Sequence, residues 1–320
     1  MTHRKLSSIA LMVSALLAAP SLQAWNNFGH MAVAYVAYMK LDAATRAKVD
    51  HLLSLNPYFM TKWQQQLPAG TAAADRGAFL FMLAATWPDA IKRDNQYHND
   101  GAGGGDRPTG PEAARNTGYD DFNRHKYWHF VDHPFSKDGT PLPAIPVPNA
   151  ETQIAVFRQV LNSTQAEALK SYDLVWLLHL VGDVHQPLHA TARVSQAHPN
   201  GDAGGNDVGF CSATAPKCTG ELHAYWDDIL GTSNDPAAVK TFAAALKIPS
   251  VTKTSVGSGS KWIGESFKLA KADVYAAPVG AGDGPYHANQ KYADRAHRVA
   301  AQRVALAGAR LAAILKAELQ

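Results

Sequence analysis

Cysteine is scarce. The 320 residues contain two, Cys211 and Cys218. With no second pair, zinc thiolates have little support; a local disulfide closing a small hairpin is favoured in an oxidising compartment. After residue 24 no segment is long and apolar enough to span a bilayer, so no membrane anchor is expected. Excess charge is also missing, with 30 Lys and Arg against 27 Asp and Glu. Without Arg4 and Lys5 of the N-terminal segment the balance is about +1, which excludes a strong global pull toward polyanions. Any phosphate recognition must therefore be local. Strand signal is limited to short candidates near 191–195 and 207–213, and periodic repeats are absent.

What is present begins with an export signal. Met1 to Ser8 carries Arg4 and Lys5 without an acid, Ile9 to Ala19 is apolar, and Leu22-Gln23-Ala24 ends on a small residue. Cleavage between Ala24 and Trp25 is expected, in preference to an uncleaved anchor. The result is a secreted or periplasmic chain, residues 25–320. Amphipathic spacing predicts helices at 30–41, 43–54, 76–86, 150–162, 165–182, 221–230, 235–246 and 262–276, and from 289 to 318. In the last of these, Tyr292, Ala296, Val299, Ala307, Leu311, Ile314 and Leu315 form a core stripe, with Arg295, Arg303 and Arg310 elsewhere. The fold class expected is mainly α, one domain with a short β-hairpin region. Two irregular stretches interrupt it, the glycine-rich 94–121 and 198–220.

Three segments carry the chemistry. In WLLHLVGDVHQPLHA, His179 and Asp183 stand a helical turn apart, and Gly182 and Pro187 suggest a helix end that lets His189 turn back toward them. In ELHAYWDD, His223 and Asp227 repeat the spacing. Imidazole and carboxylate together suit zinc, although a single such pair arises readily by chance. In YWHFVDHP, His129 precedes Phe130 and Asp132; taken alone, it reads as a hydrogen-bonded core histidine. Upstream, TWPDAIKR places Asp89 three residues before Lys92, an acid that could orient a nucleophile and a cation that could neutralise phosphate.

Together these elements resemble the S1/P1 nuclease family: Trp25 with Gly29-His30, Trp-Pro-Asp at 87–89, Trp-His-Phe at 128–130, the His-x3-Asp-x5-His of 179–189, Gly-Gly-Asn at 204–206 and the His-x3-Asp of 223–227. The resemblance runs through the whole chain after residue 24. It implies three zinc ions. Asp89, His129, His179 and Asp183 would hold one. The freed amino nitrogen and the carbonyl of Trp25, with His30 and a shared Asp183, would hold its neighbour. His189, His223 and Asp227 would hold the third. It further implies that Phe130 stacks on a nucleobase near Asp132, Gly204 and Asn206, that Asp89 and Lys92 act in catalysis, and that His185 is not a ligand. The implied activity is hydrolysis of single-stranded DNA and RNA to 5′-phosphorylated products, and of 3′-nucleotides, by a monomer. The alternatives are a zinc-dependent phospholipase C, which usually ends its ligand set in Glu where this chain has Asp227, and a non-catalytic exported zinc protein. Compared with fungal and plant members, the stretch between Asp89 and His129 is longer and the disulfides fewer.

Overall fold

The computed structural model describes residues 25–320; the expected export signal, residues 1–24, lies outside them. Ten α-helices carry the described chain: α1 (Asn27–Lys40), α2 (Ala43–Ser54), α3 (Ala73–Ala84), α4 (Trp87–Ala90), α5 (Ala150–Leu161), α6 (Glu167–Asp183), α7 (Leu222–Asp228), α8 (Pro236–Ala244), α9 (Gly259–Leu269) and α10 (Gln290–Glu318). The four strands are short: β1 (Pro134–Ser136) pairs in parallel with β2 (Ala192–Val194), and β3 (Phe210–Cys211) with β4 (Tyr286–His287). The mainly α expectation holds. Cys211 and Cys218 are disulfide-bonded, and the loop between them is closed by an antiparallel bridge from Gly209 to Glu221.

Two helices are enclosed almost completely. Every residue of α1 from Phe28 to Tyr38 is buried, as is every residue of α6 from Ser171 to Asp183. A helix without a solvated face must lie inside the bundle, and both do, α1 against α10, α3 and α8, and α6 against α5 and α2. Gly308 allows the close crossing of α1 and α10, because a Cβ there would stand 2.5 Å from Val36. Asn26 caps α1 through Gly29 N and donates to Asp228 Oδ1 and Gly231 O, which fastens the start of α1 to the end of α7. The core divides into two apolar clusters. One contains Trp128, Trp176, Leu180 and Val184, the other Leu188, Leu222 and Trp226. His129, His179, Asp183, His189, His223 and Asp227 are interleaved with these residues, so the chemistry lies along the seam.

Arg303 and Arg310 lie off the apolar stripe of α10 yet are both buried. They face α9, where Glu265 accepts from Arg303 Nη1 at 3.0 Å and from both terminal nitrogens of Arg310 at 2.7 and 2.8 Å. Arg303 also donates to His185 O at 3.1 Å and Arg310 to His185 Nε2 at 2.9 Å, so this charged joint supports the end of α6. A hydrophobicity pattern does not distinguish a paired buried arginine from a solvated one.

The joint gives a stability prediction. Although burial pushes the Glu265 carboxyl up, its hydrogen bonds to Arg310 and Arg303 outweigh that and hold it at about 2. A depressed carboxylate stabilises the fold above its ordinary value of about 4.5 and ceases to do so as pH falls through its folded value. Glu265→Gln should cost about 2 kcal/mol by urea denaturation at pH 7, less than the roughly 3–5 kcal/mol of a fully buried pair because the glutamate is partly exposed. The difference from wild type should shrink only between about pH 4.5 and about 2. A difference that vanishes already at pH 6 contradicts this assignment.

Candidate metal centre and cleft

α6 supplies two of the candidate ligands. His179 and Asp183 project from one face a turn apart, and the helix ends at Asp183, which lets residues 187–190 turn back and bring in His189. α7 supplies His223 and Asp227 in the same way, α1 supplies His30, and α4 supplies Asp89. Three groups of donor atoms result, each drawn together within 4.8 Å: His30, His179 and Asp183; Asp89, His129 and His179; and His189, His223 and Asp227. All of these side chains are buried. Asp183 is placed between the first two groups, its Oδ1 3.3 Å from His30 Nε2 and its Oδ2 3.2 Å from His129 Nδ1 and 3.3 Å from His179 Nε2. One oxygen faces each side, the disposition of a bridging carboxylate.

The protonation states can be argued from the carbonyls around them. A carbonyl only accepts, so each ring nitrogen beside one must carry the hydrogen. His179 Nδ1 donates to Ala85 O at 2.8 Å, His189 Nδ1 to His129 O at 2.9 Å and His223 Nδ1 to Gly204 O at 2.7 Å. In the neutral rings each Nε2 is then a bare lone pair. His189 Nε2 and His223 Nε2 face one another at 2.9 Å. Burial pushes the His30, His129 and His179 imidazoles well below the usual histidine range, His30 and His129 with help from neighbouring charged groups, His179 chiefly with help from Lys92. Protonation of these three imidazoles is therefore disfavoured. Both oxygens of Asp183, Oδ2 of Asp89 and both nitrogens of His30 are buried without a hydrogen-bond partner. Unpaired buried groups of this kind cost about 1–3 kcal/mol each, more for a charge. A divalent cation taking nitrogen and oxygen donors removes these conflicts together, and the donor set suits zinc.

Several surrounding residues serve this packing, and of them Gln186 was not singled out by the sequence. Gly182 leaves room for the His30 ring, because a Cβ there would lie 3.0 Å from Nδ1. Gly29 does the same for Trp25, whose Cβ would stand 2.6 Å from a side chain at position 29. Gln186 donates to Asp227 Oδ1 at 2.7 Å, leaving Oδ2 turned 3.5 Å from His223 Nε2. Burial pushes the Asp183 and Asp227 carboxyls well up in the absence of a cation. His185 stands apart from the groups, its Nδ1 bonded to Val181 O at 2.7 Å and its Nε2 accepting from Arg310.

Over the centre opens a cleft lined by Lys92, Lys126, His129, Phe130, Asp132, Leu188, His189, Ala203, Gly204 and His223. Phe130 and Asp132 are half-buried on its wall. Burial pushes the Asp132 carboxyl up to about 6, against the opposing pull of Arg107. Gly204 has φ +61°, a conformation that turns its carbonyl onto His223 and tolerates no side chain, since a Cβ would meet Leu188 O at 2.7 Å. Asn206 lies outside that lining, its side-chain amide donating to Ala203 O at 2.6 Å. Lys92 Nζ donates to Asp89 Oδ1 at 2.7 Å inside the centre. Lys126 was not singled out by the sequence. Trp25 is fully buried beside His30 and Gly182.

These donor conflicts predict coupling between metal and stability. Adding zinc to chelator-treated protein should raise the midpoint of thermal unfolding by several degrees at micromolar free metal, since a ligand that binds only the folded chain stabilises it in proportion to its occupancy. His223→Ala should lose part of that increment while folding normally without zinc. An unfolding temperature indifferent to zinc and chelator would contradict the reading of the three groups as cation sites.

No curated protein matches the chain closely enough to be counted a relative. A family model described as S1/P1 Nuclease matches residues 25–320, nearly the whole length and all of the groups above. The chain belongs to the S1/P1 nuclease family.

Proposed function

We propose that this protein is an exported zinc-dependent endonuclease that cleaves single-stranded DNA and RNA to 5′-phosphorylated products and also hydrolyses 3′-nucleotides. The observation that carries the reading is the meeting of three buried His/Asp groups beneath one cleft whose wall presents an aromatic ring. Asp89, His129, His179 and Asp183 hold one ion. Trp25, freed at its amino group by cleavage after Ala24, joins His30 and Asp183 at a second, and His189, His223 and Asp227 hold a third. Export agrees with the single disulfide and with a family match that begins at Trp25. Among the described residues no helix is long and apolar enough to cross a membrane.

Zinc, when bound, lowers the pKa of water toward about 7 and offsets charge on the phosphate. The chain's own residues do the remainder. Asp89 is buried at the centre and orients the attacking water through its Oδ2, which has no other partner in the protein. Lys92 stands 2.7 Å from the same carboxylate and faces the cleft, where its ammonium neutralises phosphate charge as the transition state forms. Phe130 receives a base turned out of its stack, and Asp132 and Gly204 border that base. An unpaired strand offers its bases without the cost of opening a duplex, which accounts for single-strand preference.

Asp89→Asn should lower kcat on single-stranded RNA by roughly 100-fold or more with helicity retained. Phe130→Ala should lower kcat/KM on single strands by about tenfold, within the range of base–aromatic stacking. Zinc-loaded wild type that releases phosphocholine from lecithin and leaves RNA intact would overturn the nuclease reading in favour of a lipase.

A further inference from the structure

The glycine-rich insert is fastened to the segment that leads into His129 and Phe130. Three consecutive residues of that segment each take a partner from it. His125 lies between Asp100 at 2.5 Å and Asp121 at 3.1 Å, Lys126 donates to Asp106 Oδ1 at 2.9 Å, and the Tyr127 ring lies 4.9 Å below the Arg107 guanidinium. The first of these contacts is buried. The second is at the surface, with Lys126 27% and Asp106 57% exposed in their side chains. Lys126 also lines the cleft, and Lys92 is the other ammonium there. The two are differently committed: Lys92 is held at the catalytic carboxylate, Lys126 at the rim by a partner that belongs to the insert.

We propose that Lys126 is a subsite for the phosphate on the 5′ side of the nucleoside that Phe130 holds. The inference rests on the nuclease reading above and names the substrate that reading favours, a strand or oligonucleotide with a phosphate upstream of the cleaved bond. A nucleotide seated with its base on Phe130 and its 3′ phosphate at the His/Asp groups carries its next negative charge on its 5′ oxygen. Lys126 supplies the matching cation within the same cleft. Its present partner is easily exchanged, because an exposed ion pair is worth only about 0.2–1 kcal/mol. A lysine ammonium suits this role, since it engages phosphate as a point charge without demanding a fixed fork geometry. Asp106 competes for the ammonium in the unliganded enzyme and presents it at the rim.

The test compares cleavage of two thymidine dinucleotides, TpT and its 5′-phosphorylated form pTpT, by the zinc-loaded chain. Wild type should favour pTpT in kcat/KM by roughly tenfold at low salt, the size of one charge-assisted hydrogen bond. The preference should shrink as salt is added. Lys126→Met should bring the ratio close to one, Lys126→Arg should keep most of it, and Asp106→Asn should keep or increase it. A wild-type ratio near one, or a K126M ratio equal to that of wild type, overturns the subsite while leaving the nuclease reading in place. A K126M chain that binds zinc but cleaves neither dinucleotide also overturns it, since the lysine would then act at the reacting bond. Wild type that cleaves neither overturns the nuclease reading and the subsite with it.

Discussion

The carboxylate of Asp183 is the constraint around which the molecule is organised. It lies at the end of a helix with no solvated face, its two oxygens turned toward different histidines and neither of them hydrogen-bonded. An isolated buried carboxylate is among the most costly groups a fold can contain. Here it is joined by a second buried acid, Asp89, and by imidazoles whose tautomers are set by carbonyls on their far sides. The arrangement is unfavourable for a chain alone and favourable for a chain that encloses cations. A cation bound there would couple its binding to folding, and the apolar seam around the centre keeps solvent from relieving the conflict.

The rest of the fold positions this seam. α1 brings His30 to α6 only because Gly29, Gly182 and Gly308 remove side chains at three close approaches. Asn26 fixes the start of α1 against the end of α7, so the segment beginning at Trp25 is held near the helix that carries His223 and Asp227. Below the site, Glu265, Arg303 and Arg310 lock the end of α6 through His185. Beside it, the insert grips residues 125–127 and so fixes the path of the chain into His129 and Phe130.

Much of this was legible in the sequence for a simple physical reason. Helical periodicity gave most of the helices, and the i, i+4 pairs at 179/183 and 223/227 placed both of their members on one face. Pro187 marked the turn that returns His189. The portions that were not legible depend on partners far apart in the chain. His125 looks unremarkable until Asp100 and Asp121 fold around it, and Lys126 reads as a solvated lysine until the cleft forms. Arg303 and Arg310 are polar residues on a core helix, and nothing local announces Glu265. Asp173 is similar: burial pushes its carboxyl up to about 8 while Asn116, 57 positions earlier, hydrogen-bonds both of its oxygens.

The central claim is that three buried His/Asp groups close around three zinc ions. Diffraction from zinc-grown crystals of the exported chain, recorded on either side of the zinc absorption edge, addresses it most directly. Three anomalous peaks are expected, two of them flanking Asp183 and one between His189 and His223. Peaks confined to surface histidines, with the buried groups left without metal, would contradict the account.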